Sequence, residues 1–524
     1  MPEENSSNIN IPNYIGIIER KLNFFTKNTV ISIIILCAIS LGIRLYYFPY
    51  NLPFIQDALV TYFLNANDVS ILGHIPTNFP VSNIGWPLIL SFFFTLFHSN
   101  TFMDYVTLQR SISMAFSVFT IIPVYFLCKR FFDKPYAIVG AAIFAFEPHI
   151  IQNSLLGITE PLYIFLVSSG LALYFSSKDK IVFSSFVIVG LSTLVRAEGL
   201  FVFSPLVIMY FIRNRKEQHV IKKGLLIIAI FALVLFSAYV IKIATHENDQ
   251  IIGRVLGSTN QIVGTSSQEG FIHYFAQTTK NFIEFSGWSL IPVFVFFLPI
   301  GVFLLFRNRN MNNITIIVTV SSMLLPVYYA YSVAPDTRYI YPLFPLFCII
   351  SIFTIKKIES KISNRNILFI MLLGIILFSS LVFLDLKKPN YEQEREAFKI
   401  SSIVTNIAKG VNSYSPQDGY ILASELPQKW PVLSSSIPTK TIIINTKNFT
   451  SLSEFIKSSK NSGLTHIVID DKKNRPKFLT DVFYNEQKYP YLVKVFDSTI
   501  QDYKYNVKIF KIDYQKFESL KWAN

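Results

Sequence analysis

Residues 30–48 read VISIIILCAISLGIRLYYF, a nearly unbroken apolar run whose one formal charge, Arg44, lies near its end. At a rise of 1.5 Å per residue, a helix of this length spans about 30 Å, the thickness of a bilayer's hydrocarbon layer. Ten further apolar runs follow, giving spans near 30–48, 106–127, 136–152, 162–177, 181–195, 199–212, 222–242, 288–306, 313–334, 339–356 and 366–385. The expectation is an all-α polytopic membrane protein of about 11 transmembrane helices. The shorter run 86–98 (WPLILSFFFTLFH) is read as a helix lying in the outer interface.

Composition agrees. Of 524 residues, 51% are hydrophobic and only 15% charged, against the roughly 25% charge of an ordinary soluble chain. The net charge of +14 does not indicate nucleic acid. Lys and Arg sit in short clusters between apolar runs and in the tail, not on a basic stripe. The segments 1–29, 128–135, 178–180, 213–223, 307–310 and 356–365 hold 19 of them, whereas 49–105, 153–161, 243–287 and 335–338 hold 3. By the positive-inside rule, segment 1–29 is cytoplasmic, the long loops 49–105 and 243–287 are external, and the tail is extracytoplasmic. The N-terminus opens on a polar, acidic stretch, so the first run reads as a retained anchor. Cys37, Cys128 and Cys348 all fall in or beside apolar runs and offer neither a disulfide framework nor a zinc site.

The transmembrane domain occupies 30–386, and composition changes near 387. Strand-like runs appear at 420–423 (YILA), 441–445 (TIIIN), 465–470 (THIVID) and 491–497 (YLVKVFD), with a final alternating run around Tyr503 to Ile509. Between the second and third lies a helical stretch, LSEFIKSS, ending near Gly463. Residues 387–524 therefore read as an extracytoplasmic α/β domain.

Four polar residues stand out on the side read as external. Asp57 follows the first span, where a carboxylate can serve as general base or bind a metal. Glu160 opens a span in TEPLYIF; it suits the same role, and equally an acid at a helix start with Pro161 behind it. Arg196, in VRAEG, lies between two short spans beside Glu198, its natural ion-pair partner. Arg338, in PDTRYIYPLFP, begins a span where positive-inside bias makes basic residues scarce. A guanidinium there can grip phosphate at headgroup depth, or snorkel to lipid headgroups. Glu147 and His149 lie deeper, where an ionisable residue is a functional candidate or an internally paired one. The sequence has no phosphate-binding glycine loop, which disfavours an ATP-driven pump and a nucleotide-sugar site.

In order, the acid Asp57, the long loop ending in G-W-P-L (Gly85 to Leu88), S-x-x-G-x-T-E-P (Ser154 to Pro161), R-x-E-G (Arg196 to Gly199) and R-Y-x-x-P-x-x-P (Arg338 to Pro345) resemble the GT-C glycosyltransferases. The likeness is to the protein O-mannosyltransferase and aminoarabinose-transferase group in particular, over about residues 25–385. It implies a polyprenyl-phosphate sugar as donor, a glycan, lipid or protein acceptor, and reaction on the extracytoplasmic face with inversion. By the same resemblance Asp57 and Glu160 match the catalytic acids and Arg338 the donor-phosphate contact, with Arg196 the second basic candidate. No soluble cofactor is implied, and a divalent metal (Mg²⁺ or Mn²⁺) would be held by Asp57 and Glu160. One departure is Ala58, where many relatives carry a second acid. Two other readings compete: oligosaccharyltransferase-like transfer of a glycan to protein, and a non-enzymatic polyprenyl-lipid transporter or receptor. The second would place charges along a central path, whereas here they gather at the external ends of the spans.

Overall fold

The computed structural model describes residues 28–54, 58–75, 83–99, 101–244, 271–334, 336–362 and 365–392, scattered positions from 394 to 403, residues 421–424 and 442–444, and most of 446–520. The chain divides into two compact units, one of Met1–Pro49, Ile75–Ile89 and Gln109–Lys388, the other of Tyr50–His74, Leu90–Leu108 and Pro389–Asn524.

Helix α1 (Thr29–Tyr46) realises the first apolar run and shows how a membrane helix inverts the soluble pattern. Its buried residues are Ser32, Leu36, Ser40 and Arg44, one stripe at i, i+4 spacing, while Ile34, Ile39 and Leu45 point outward. With lipid as apolar as leucine, helices gain little by hiding leucine, so the inward stripe carries small and polar side chains. Next come α2 (Leu64–Leu72), α3 (Gly85–Leu96), α4 (Phe102–Phe119) and α5 (Ile121–Lys129), the last two separated only at Thr120. α6 (Lys134–Ala145), α7 (Pro148–Ser154), α8 (Glu160–Tyr174), α9 (Asp179–Val195) and α10 (Leu200–Arg213) follow. Then come α11 (Val220–Ala244), α12 (Phe271–Ser289), α13 (Phe294–Arg307), α14 (Met311–Val333), a 3₁₀ turn (Thr337–Leu343), α15 (Phe344–Glu359) and α16 (Arg365–Leu386).

Among the described residues six helical stretches are long and apolar enough to cross a membrane, and α12 with α13 makes a seventh candidate bent by 110°. The eleven runs of the sequence are therefore helices of two kinds. Those near 136–152, 162–177, 181–195 and 199–212 appear as α6 to α10, none longer than 17 residues. A helix of 14 residues reaches only about 21 Å. The breaks have local causes. Pro148 has no N–H to continue α6, and Glu147 instead caps α7, its Oε2 accepting from the Ile150 amide at 2.8 Å. The stretch 243–287, read as a loop, holds most of α12, whose Lys280 and Glu284 dilute its hydropathy. The run 86–98 is helical, as α3.

The buried Arg44 ties this unit together. Its Nη1 donates to the carbonyls of Ser40 and Ala145, both at 3.2 Å, and its Nη2 to Ser117 Oγ at 3.0 Å. Ala145 is the last residue of α6, so one guanidinium satisfies an orphan carbonyl of that helix and lies within electrostatic reach of Glu147. A charge in this apolar unit is tolerable because both terminal nitrogens of the guanidinium are hydrogen-bonded, although its Nε has no partner among the described residues.

In the second unit, β1 (Ile421–Ser424), β2 (Ile442–Ile444), β3 (Leu464–Asp470), β4 (Leu492–Asp497) and β5 (Val507–Ile512) form one sheet in the order β2-β1-β3-β5-β4. β1 is parallel to β2 and β3, and β5 is antiparallel to β3 and β4. All five strands agree with the strand runs read from sequence to within a few residues. The helical stretch is α17 (Leu452–Lys460), capped by Ser451 Oγ, which accepts from the Glu454 amide at 3.2 Å, while Glu454 accepts from Thr450. Gly463, at φ +83°, makes the left-handed turn into β3. α18 (Lys477–Tyr484) and α19 (Tyr514–Ser519) are further helices of this unit. Phe455, Ile456, Ile467, Ile469, Leu479, Val482 and Phe510 form the core under one sheet face.

Candidate functional site

The first unit brings together motifs that are distant in sequence. Gly157, at φ +74°, turns the chain ahead of α8, and its carbonyl accepts from Gln109 Nε2 at 2.6 Å and from the indole of the fully buried Trp86 at 3.4 Å. Gly85, next to that Trp, lies so close to α9 that a Cβ there would meet the Leu194 carbonyl at 3.0 Å. The G-W-P-L and S-x-x-G-x-T-E-P segments thereby hold each other, beside the chain end of α9.

Glu160 begins α8, with Pro161 in the first turn, so the structural reading of T-E-P as a helix start holds. The carboxylate is almost wholly buried. Its Oε1 accepts from Arg196 Nη1 at 2.5 Å. Arg196 Nη2 donates to Glu198 Oε1 at 2.7 Å, so the local pair read from sequence is present together with a second carboxylate that sequence did not indicate. Arg196 leaves α9 with extended backbone (φ −149°, ψ 130°), and a 3₁₀ turn, Ala197–Gly199, brings Glu198 back to it. Glycine is required to close that turn: a Cβ on Gly199 would lie 2.8 Å from backbone atoms of Thr193. One arginine thus serves two carboxylates.

Arg338 sits in the 3₁₀ turn ahead of α15. Asp336 Oδ1 accepts from the Arg338 amide at 2.9 Å and Oδ2 from Nε at 2.7 Å, with Nη2 in ion-pair contact with the same Oδ2 at 2.7 Å. The contacts to Oδ2 orient the guanidinium, which has five N–H donors and is not exhausted by one carboxylate oxygen. The next residue, Tyr339, is the functional candidate that sequence reasoning missed. Its hydroxyl lies within electrostatic reach of Asp336, Arg196, Arg338 and Glu160 together. Tyr163, Arg196, Glu198 and Tyr339 line a cleft whose remaining wall is apolar, from Met323, Val327 and Leu343. The available signal was the Y of the R-Y-x-x-P-x-x-P segment.

Glu147 and His149 are paired internally, His149 Nδ1 lying 2.9 Å from Glu147 Oε1. The imidazole packs against Tyr341 and Phe383, with ring centroids 5.8 and 4.8 Å away. Asp57 lies outside the described residues. Among the described residues no group of three or more His, Cys, Asp or Glu is arranged to hold a metal ion.

Residues 83–241 match the model of the dolichyl-phosphate-mannose-protein mannosyltransferase family, less than a third of the chain. No curated protein sequence matches significantly. Among solved structures, ArnT from Cupriavidus metallidurans in the apo state aligns with TM-score 0.57 at 10% identity, covering 93% of this chain and 98% of that one. The same enzyme bound to undecaprenyl phosphate aligns with TM-score 0.55 at 10% identity, over 92% and 98%. The archaeal oligosaccharyltransferase AglB from Archaeoglobus fulgidus, in complex with an inhibitory peptide and a dolichol-phosphate, aligns with TM-score 0.53 at 13% identity, over 90% and 73%. The fold is that of the GT-C glycosyltransferases. The chain is a multi-pass membrane protein, and Glu160, Arg196 and Glu198 all lie within the part that matches the mannosyltransferase family model.

Proposed function

We propose that this chain is a membrane glycosyltransferase that moves a sugar from a polyprenyl-phosphate carrier to an acceptor on the extracytoplasmic face. The observation that carries the reading is the cleft lined by Tyr163, Arg196, Glu198 and Tyr339, with Arg196 paired to the buried Glu160, in a chain with the GT-C fold. In this reading Asp57 takes the proton from an acceptor hydroxyl as its oxygen attacks the anomeric carbon. The new C–O bond forms as the bond to the carrier phosphate breaks, inverting the configuration, and the phosphate leaves as an anion. Arg338, oriented by Asp336, offsets that charge. Arg196 fixes Glu160, which orients the acceptor or, with Asp57, holds a divalent metal. The N-terminus is cytoplasmic and the tail domain extracytoplasmic.

Near-complete coverage of ArnT, against about three quarters of AglB, supports simple sugar transfer over transfer of a glycan to protein. The experiment is incubation of the purified chain with labelled polyprenyl-phosphate sugars and mixed acceptors, with and without EDTA. Transfer from at least one donor is expected. Loss of label from no donor under any condition would remove the reading, and chelator sensitivity decides the metal. A cysteine at position 434 should react with an impermeant thiol reagent in intact cells if the tail is outside.

A further inference from the structure

We propose that the turn between α10 and α11 forms a binding site for the anionic head group of a bilayer phospholipid. A cleft of about 380 Å³ opens there, lined by Ile212, Arg213, Arg215, Lys216, Glu217 and Met311, together with Asn214. Volume alone would admit a phosphate with its substituents; the charge arrangement says which kind. Glu217, the one acid in the lining, is turned to Lys223, whose Nζ lies 2.8 Å from it and 2.6 Å from Asp179. Among the described residues no carboxylate lies within salt-bridge distance of Arg213, Arg215 or Lys216. Arg213 has an ordinary use at the negative end of α10. Arg215 and Lys216 lie past the helix, where that explanation does not extend. Among the described residues, these three cations line the cleft with no carboxylate within salt-bridge distance of them.

The apolar part of the site favours a lipid over a soluble anion. Ile208, Ile212, Met311 and Ile221 are exposed around the same helix ends. Exposed isoleucines beneath a cationic rim match an acyl chain beneath a phosphate. Basic pockets between membrane helices take anionic head groups for this reason, each cation near the surface contributing about five-fold in affinity.

The test is native mass spectrometry of the full-length protein in detergent, offered phosphatidylglycerol and phosphatidylcholine in equal amounts. The protein should retain phosphatidylglycerol in preference. Arg213→Gln/Arg215→Gln/Lys216→Gln should weaken that retention by about 10²-fold while leaving phosphatidylcholine binding unchanged, which also reports that the variant is folded. A second triple variant, Lys477→Gln/Lys488→Gln/Lys516→Gln, removes the same charge from the soluble domain and should behave as the parent. Inorganic phosphate at millimolar concentration should not displace the lipid. Equal retention by parent and first variant, equal loss in the second, or displacement by phosphate each overturns the proposal, the last by making this a soluble-anion site.

Discussion

Arg196 and Glu160, 36 residues apart in sequence, meet at 2.5 Å in a pair that is nearly closed to solvent. The arginine ends one helix and the glutamate begins another, so the contact fixes two chain ends at once. Breaking a buried pair costs about 3–5 kcal/mol, because the survivor is left charged and unsatisfied. Arg196→Gln is expected to lower the stability of the purified protein by that order. Adding Glu160→Gln should recover part of it, a coupling that thermal unfolding of the two single variants and the double variant would read. Strict additivity would mean that the pair contributes nothing of its own.

Arg338 should act through its fork. Arg338→Lys keeps the charge and loses the bidentate geometry, so polyprenyl-phosphate affinity should fall partway, and Arg338→Ala should fall by about 2–5 kcal/mol. Asp336→Asn frees the plane of the guanidinium and should weaken donor binding less than either. Snorkelling to lipid headgroups instead predicts that Lys serves as well as Arg, so titration of the donor analogue against all four proteins separates the two roles.

Asp57→Asn keeps shape and removes basicity. Turnover should drop by roughly 10²- to 10⁴-fold with donor affinity intact, the usual contribution of a general base. A variant turning over at the parental rate would pass the role to Glu160.

In the second unit, Asp470 at the end of β3 is fully buried and takes both Nε and Nη2 of Arg475, each at 2.6 Å. Arg475→Ala leaves that carboxylate without its partner and should destabilise the β3 region by about 3–5 kcal/mol. Hydrogen exchange of the full chain should show faster opening of β3 and β5, with the transmembrane helices unchanged.

His466, on the same strand, gives this unit a pH dependence. Burial, helped by Lys511, holds the imidazole down to about 4 from an ordinary 6.5, so it is neutral in the native state. Between those values the unfolded chain binds a proton that the native chain does not, and stability falls as pH falls through that window. The stabilisation is fully present above pH 6.5 and amounts to at most about 3 kcal/mol. Pulse proteolysis of β3 at pH 7 and pH 5 should show the loss, and His466→Leu should flatten it.

What the sequence determined by itself is the class of the protein and the order of its parts. Long apolar runs mark membrane helices, and the apolar run at 465–470 and the alternation from Tyr503 to Ile509 mark strands, because each pattern is a local feature of the backbone. The motifs around Glu160, Arg196 and Arg338 were legible too, as polar residues at span ends. Tertiary structure alone decided what those residues do to one another. That Arg196 serves Glu160 as well as Glu198, that Tyr339 stands among four charges, and that Arg44 satisfies Ala145 across 101 residues are contacts between helices. No period in the chain encodes them. They follow from where α8, α9 and the turn ahead of α15 end in space, set by close approaches at Gly85 and Gly199 that one sequence shows only as glycines.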